Sequence, residues 1–184
     1  MGRPSKREER RAEILNAFAR VLATQGYAGA TIAAVAGEAG IAPGLVHHHF
    51  ESKEDMLLSL LKSLVERFRA RASGYGGDHP LLSYVDGALK LDERADVAAA
   101  RCWVGVFSEA LRNPVLFKQV RRLIDTEIAA IEQRSRYQLG AHEAGAVLAF
   151  IIGALVLGAF APQKTAGFAA PALRRFVQSL RAPR

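Results

Sequence analysis

Three imidazoles stand side by side in the stretch GLVHHHFESK, at His47, His48 and His49, out of five histidines in the 184-residue chain. Imidazole binds metals, moves protons near neutral pH, and hydrogen-bonds phosphates and bases. Spacing separates these options. Consecutive residues on a helix point about 100° apart, so three adjacent imidazoles cannot converge on one ion from that helix. No Ser-His-Asp, HExxH or Walker-type motif accompanies them. No catalytic residue, metal ligand or cofactor is therefore assigned, and the chain is not expected to be an enzyme. The lone Cys102 excludes an internal disulfide framework and a cysteine-only zinc site. A second group follows it: Trp103 and Phe107 lie four residues apart, on one face of any helix that holds them.

The charge distribution narrows the partners. The net charge is +7, which invites a nucleic-acid reading. Residues 1–20 hold six Lys/Arg against three Glu, and residues 21–55 hold one Lys against four acids, so the first 55 residues are neutral. Only Arg3, Lys6, Arg7, Arg10 and Arg11 form a candidate basic arm. The N-terminus has no apolar stretch of the secretory kind, and the expected compartment is the cytoplasm.

The elements that would carry these residues read as helices throughout. Ile14, Leu15, Phe18, Val21 and Leu22 form one helical stripe that Gly26 ends. Thr31 suits the N-cap of a second helix over Ile32–Ala39, broken at Gly40. Pro43 opens a short third helix to about His48. Ser52, with Asp55 three residues on, caps a fourth whose stripe is Leu57, Leu60, Leu61, Leu64, Val65 and Phe68. It stops near Ala72, before the loop SGYGGDHP. Further helices are expected over 81–92, 95–112, 115–138, 142–160 and 168–181. No run alternates as a strand should. The fold class is all-α, roughly nine helices. The domains are 1–51, three short helices, and 52–184, the long ones.

The front segment carries the spacing of a helix-turn-helix. Counting from Ile32, Ala36 is the fifth residue, small enough for a close crossing. Gly40 is the ninth, in the turn, and Val46 the fifteenth, placed to bury against Val35 and the first helix. The stretch TIAAVAGEAGIAPGLVHHHFESKEDML resembles the DNA-binding signature of TetR-type transcriptional regulators. Thr31, Val35, Ala36, Ala39, Gly40, Ile41, Gly44, His49, Phe50, Ser52, Lys53 and Leu57 carry the match. Two positions depart from it: Ala42 replaces the usual serine before the recognition helix, and His47 the usual tyrosine.

The resemblance implies a recognition helix over Ala42–His49 in the major groove, presenting Ala42, Pro43, Gly44, His47 and His48. Thr31 and Lys53 would clamp phosphates, and Arg3 would reach a minor groove. Because imidazole titrates near pH ~6.5, operator affinity is expected to rise as pH falls from about 8 toward 6. It further implies a homodimer on palindromic double-stranded DNA, a repressor released by a small-molecule effector. The last two helices would pair through Phe150, Gly153, Leu157, Leu173, Phe176, Val177 and Leu180. The middle helices would enclose a ligand cavity lined by Phe68, Tyr84, Cys102, Trp103, Phe107 and Phe117. The segment ARCWVGVFSEALRNPVLF is similar to the choline/betaine-type repressor branch, and an aromatic cage there suits a quaternary ammonium. Glu109 is a candidate counter-charge, though an exposed helix carboxylate explains it better. Residues 144–161 contain no charge and are long enough to be a borderline membrane span. The alternative reading is a membrane-associated or metal-binding helical protein that retains the fold.

Overall fold

The structure, a computed structural model, describes residues 5–73, 79–89, 96–165 and 167–181. Arg3 lies outside the described residues. In chain order the helices are α1 (Lys6–Gly29), α2 (Ile32–Ala39), α3 (Pro43–His47), α4 (Lys53–Ser73), α5 (Pro80–Leu89), α6 (Asp96–Ala110), α7 (Pro114–Arg134), α8 (Ala141–Phe160), the single turn α9 (Pro162–Thr165) and α10 (Ala169–Arg181). Among the described residues there is no strand.

The first helix starts earlier than its apolar stripe. Ser5 and Glu8 form a capping box, Glu8 N donating to Ser5 Oγ at 3.2 Å and Ser5 N to Glu8 Oε2 at 2.7 Å. Lys6 to Arg11 are therefore helical, not an extended arm. Arg11 turns inward: it donates to the His49 carbonyl and, at 2.9 Å, to Ser59 Oγ, and lies 4.0 Å over the Phe50 ring. Regular helix breaks at Gly26, whose φ of 70° a side chain would resist.

Thr31 caps α2 by accepting from Ala34 N at 3.1 Å, and Gly40 ends it in the left-handed region. Ala42 gives α3 no side-chain cap, as the alanine dictates. At the head of α4 Ser52 Oγ accepts from Asp55 N, but the Asp55 carboxylate takes Glu51 N, one residue further back than in a true box.

Residues 90–92 and 95, expected at the ends of the fifth and sixth helices, lie outside the described residues. The seventh helix stops at Arg134, four residues short of the expected 138. Buried Ser135 explains this: its hydroxyl donates to Glu132 O and accepts from Leu139 N, while Arg136 and Tyr137 take φ of 55° and 58°.

One continuous apolar core runs from Ile14 and Phe18 of α1 through Val35, Ala36 and Val46 to Leu173 and Val177 of α10. α4 and α5 cross so closely that a Cβ on Gly87 would sit 2.5 Å from Ala72 Cα. Buried Asp86 on α5 holds Arg174 of α10 at 2.8 Å. α6 packs on α1: a Cβ on Gly105 would lie 3.3 Å from Leu22 Cγ, and the Cys102 thiol donates to Ala19 O at 3.2 Å.

Candidate nucleic-acid interface and aromatic cavity

α3 leaves most of its surface free, with only Val46 fully buried; Ala42, Pro43, Gly44, His47 and His48 are all exposed. Open space surrounds Gly44, so this face lets another surface come close to the backbone. The three imidazoles part ways as helical geometry requires. His47 ends the helix, His48 follows as its exposed C-cap, and His49 turns back toward the core. His49 Nδ1 is buried without a hydrogen-bond partner. Its burial, and then the charges of Arg7, Arg11, His48 and Arg10, hold the imidazole below its ordinary pKa. Exposed Arg7 and Arg10 thus stand near His49, and Arg10 is itself paired with Glu13 at 2.6 Å. Among the described residues no three His, Cys, Asp or Glu side chains gather as a metal group.

Thr31 and Lys53 are differently disposed. The Thr31 hydroxyl accepts from the α2 amide and is exposed. The Lys53 ammonium, expected at a phosphate, is directed inward. It donates to the Tyr27 carbonyl at 2.7 Å and lies 4.0 Å from the centre of the Tyr27 ring. It therefore ties the head of α4 to the end of α1. Next to it, Glu54 accepts from Asn113 Nδ2 at 2.7 Å, and Asn113 also caps α7 through Leu116 N.

Behind these helices lies an apolar cavity of about 40 Å³, bounded by α4, α6, α7 and α8. That is room for about one water. Of the residues expected to line it, Phe68, Trp103 and Phe107 do. The Trp103 and Phe107 rings are 5.4 Å apart at 32°. Tyr84 stands behind Phe68, edge-on at 5.9 Å. Cys102 faces α1 instead, on the other side of α6, and burial pushes its thiol up to about 11. Phe117 is a correction: it is 49% exposed, on the outer face of α7. The apolar period Leu116, Val120, Leu123, Ile131 excludes it from the inner face. Glu109 likewise faces Tyr27, whose hydroxyl its charge and that of Glu54 push up after burial.

Sequence reasoning missed Glu127. It occupies the inner stripe of α7, lines the cavity and is buried. Arg69 donates to its Oε1 at 2.7 Å, and the Tyr84 hydroxyl to its Oε2 at 3.1 Å. Burial, and then this carboxylate, push the Tyr84 pKa far up, which keeps the phenol a donor. A charged residue at an apolar position of the stripe was the signal available.

α8 and α10 leave apolar surface uncovered. On α8, Ala146, Ala149, Gly153, Leu157 and Phe160 fall on one exposed face, with Phe150 half-buried beside them. Leu157 is 56% and Phe160 78% exposed, and Phe176 of α10 is also exposed. Leu173 and Val177, expected to face a second copy, are instead fully buried within this chain. Leu180 lies in α10, its side chain outside the described residues. α8 has the length and hydropathy of a membrane-crossing helix, but its opposite face belongs to the core.

The sequence pattern described as "Bacterial regulatory proteins, tetR family" matches residues 14–60. An HTH-type transcriptional regulator BetI from Rhizobium meliloti (strain 1021) is 33% identical over 120 residues, 62% of this chain and 57% of that regulator's length. BetI from Burkholderia mallei is 28% identical, aligning 97% of this chain with 96% of its own. Among solved structures, a transcriptional regulator from Rhodococcus sp. RHA1 superposes with a TM-score of 0.79 at 24% identity, covering 95% of this chain and 99% of that one. A transcriptional regulator from Saccharomonospora viridis in complex with choline superposes with a TM-score of 0.71 at 24% identity, covering 93% and 96%.

Proposed function

Given that this chain belongs to the TetR family of transcriptional regulators and is similar to BetI, we propose that it is a homodimeric repressor released from a palindromic operator by a small cationic effector. Residues 1–51 would form its reading head and 52–184 its effector and dimer unit. The observation that carries this reading is the position of α6. One face bears Trp103 and Phe107 on the cavity; the other, through Cys102 and Gly105, rests on α1 of the head.

A cavity of about 40 Å³ cannot admit a trimethylammonium group without opening. An effector that binds only the opened form shifts the population toward it. α6 would move with that opening and displace α1. A second route runs through Asn113 and Glu54 to Lys53 at the head of α4. Choline is the favoured effector class: three aromatic rings supply the face a quaternary ammonium needs, and the Glu127 carboxylate supplies the charge when the cation draws it from Arg69. The choline-bound solved relative supports the same class.

On the DNA side, Pro43, Gly44, His47 and His48 enter the major groove, and Thr31, Arg7 and Arg10 meet phosphates. Arg3 remains the candidate for the minor groove. In this reading the uncovered face of α8, with Phe176 of α10, pairs two copies, and the protein works in the cytoplasm. The test is binding to DNA from beside its own gene at moderate salt, with and without choline. Saturable binding that choline weakens supports the reading; binding that choline leaves unchanged removes the effector.

A further inference from the structure

A second cleft opens between α1, α4 and α6, with a volume of about 390 Å³. It is far larger than the central cavity and falls in the range of ordinary small-molecule sites. Its floor is apolar, built from Leu64, Phe68, Cys102 and Trp103. Its wall carries three guanidinium groups, Arg20, Arg67 and Arg71, and no carboxylate among the described lining residues.

The three arginines differ in what holds them. Arg20 is paired with Glu38 of α2 at 2.5 Å. Arg71 donates through Nε to Gly87 O at 2.9 Å. Arg67 donates to the neutral amide oxygen of Asn16 at 2.9 Å, so among the described residues its charge is matched only by a dipole. A guanidinium forms a bidentate fork that fits a carboxylate far better than one amide oxygen. The buried Cys102 thiol adds no charge of its own, because burial pushes it up to about 11. A surface that is cationic on one wall and aromatic and aliphatic on the floor selects a molecule with the same two halves.

We propose that this cleft binds an organic anion with an aliphatic body, its carboxylate on Arg67 and its tail along Phe68 and Trp103. The site goes beyond the cation cavity and is opposite in sign; the two share only the wall made by Phe68, Trp103 and Leu155. Arg20 gives it a link to the reading head, since an anion drawing that guanidinium competes with Glu38 of α2.

The experiment uses the full chain, with decanoate below its micellar concentration as the probe and decyltrimethylammonium as the charge-reversed control. Trp103, the single tryptophan, reports occupancy by its fluorescence. Decanoate is expected to bind saturably, and Arg67→Gln to weaken it by about tenfold or more. Arg67→Lys, which keeps the charge, should recover part of that loss. Operator binding and the thermal midpoint of Arg67→Gln should stay at wild type, which separates lost binding from lost folding. Glu127→Gln, in the other cavity, should leave decanoate affinity in place. The proposal is overturned by absence of saturable decanoate binding, by unchanged affinity in Arg67→Gln, or by decyltrimethylammonium binding equally well and with the same dependence on Arg67. Loss in Glu127→Gln alone would place the anion in the central cavity and overturn it too.

Discussion

His49 shows how one residue's surroundings override its type. Its neighbours His47 and His48 are solvent-exposed, while its own Nδ1 is buried without a partner beside Arg7, Arg10 and Arg11. The folded imidazole therefore resists the proton that the unfolded chain takes up near pH ~6.5. This contribution to stability is complete above that pH and is lost as pH falls below it. Thermal midpoints should drop as pH falls from about 6.5 toward 5, and His49→Gln should flatten that slope; an unchanged slope would remove His49 as its source. His47→Phe with His48→Ala should weaken operator binding without moving the midpoint, which titration against labelled DNA would show. At Glu127, substitution by Gln keeps the shape and removes the charge. Choline should then need about tenfold higher concentration to release DNA, and an unchanged release curve would exclude the carboxylate from cation binding. The exposed residues of α3 were legible because a local spacing rule fixes that helix. Lys53 was not, because its partner Tyr27 lies 26 residues back, on another helix, and no periodicity encodes that meeting.

Among the elements, α2, α8 and α10 could be read closely from caps, glycines and apolar stripes. α7 could not, since its end depends on the Ser135 hydroxyl satisfying Glu132 and Leu139. α1 was read too short because Ser5 and Glu8 extend it beyond its buried face. The α4–α5 crossing is a contact between backbones, and only glycine permits it. Gly87→Ala would press a methyl group onto Ala72 Cα and should cost about 2–3 kcal/mol, seen as a lower urea midpoint. Retention of full stability would mean that the two helices slide apart without penalty.

At the scale of the molecule, the head and the cavity share one core, so the sequence boundary at residue 51 is a change of helix length and not a gap in packing. The uncovered face of α8 is the feature a single chain leaves unexplained. Leu157→Glu with Phe160→Glu should convert dimers to monomers in sedimentation equilibrium and abolish tight binding to a palindrome. A double variant that stays dimeric would move the interface elsewhere. Which apolar residues of α10 stay exposed was not legible: Leu173 and Val177 share the helical period of Phe176, and only the Arg174–Asp86 tie shows which side of α10 turns toward α5. If that face is completed only by a second copy, stability follows protomer concentration by mass action. Copies made below the assembly threshold would keep an oily helix exposed to proteases. The cell's supply of this regulator would then have a floor: under it chains are cleared, above it they persist, and gene dosage sets the lifetime of the protein as well as its amount.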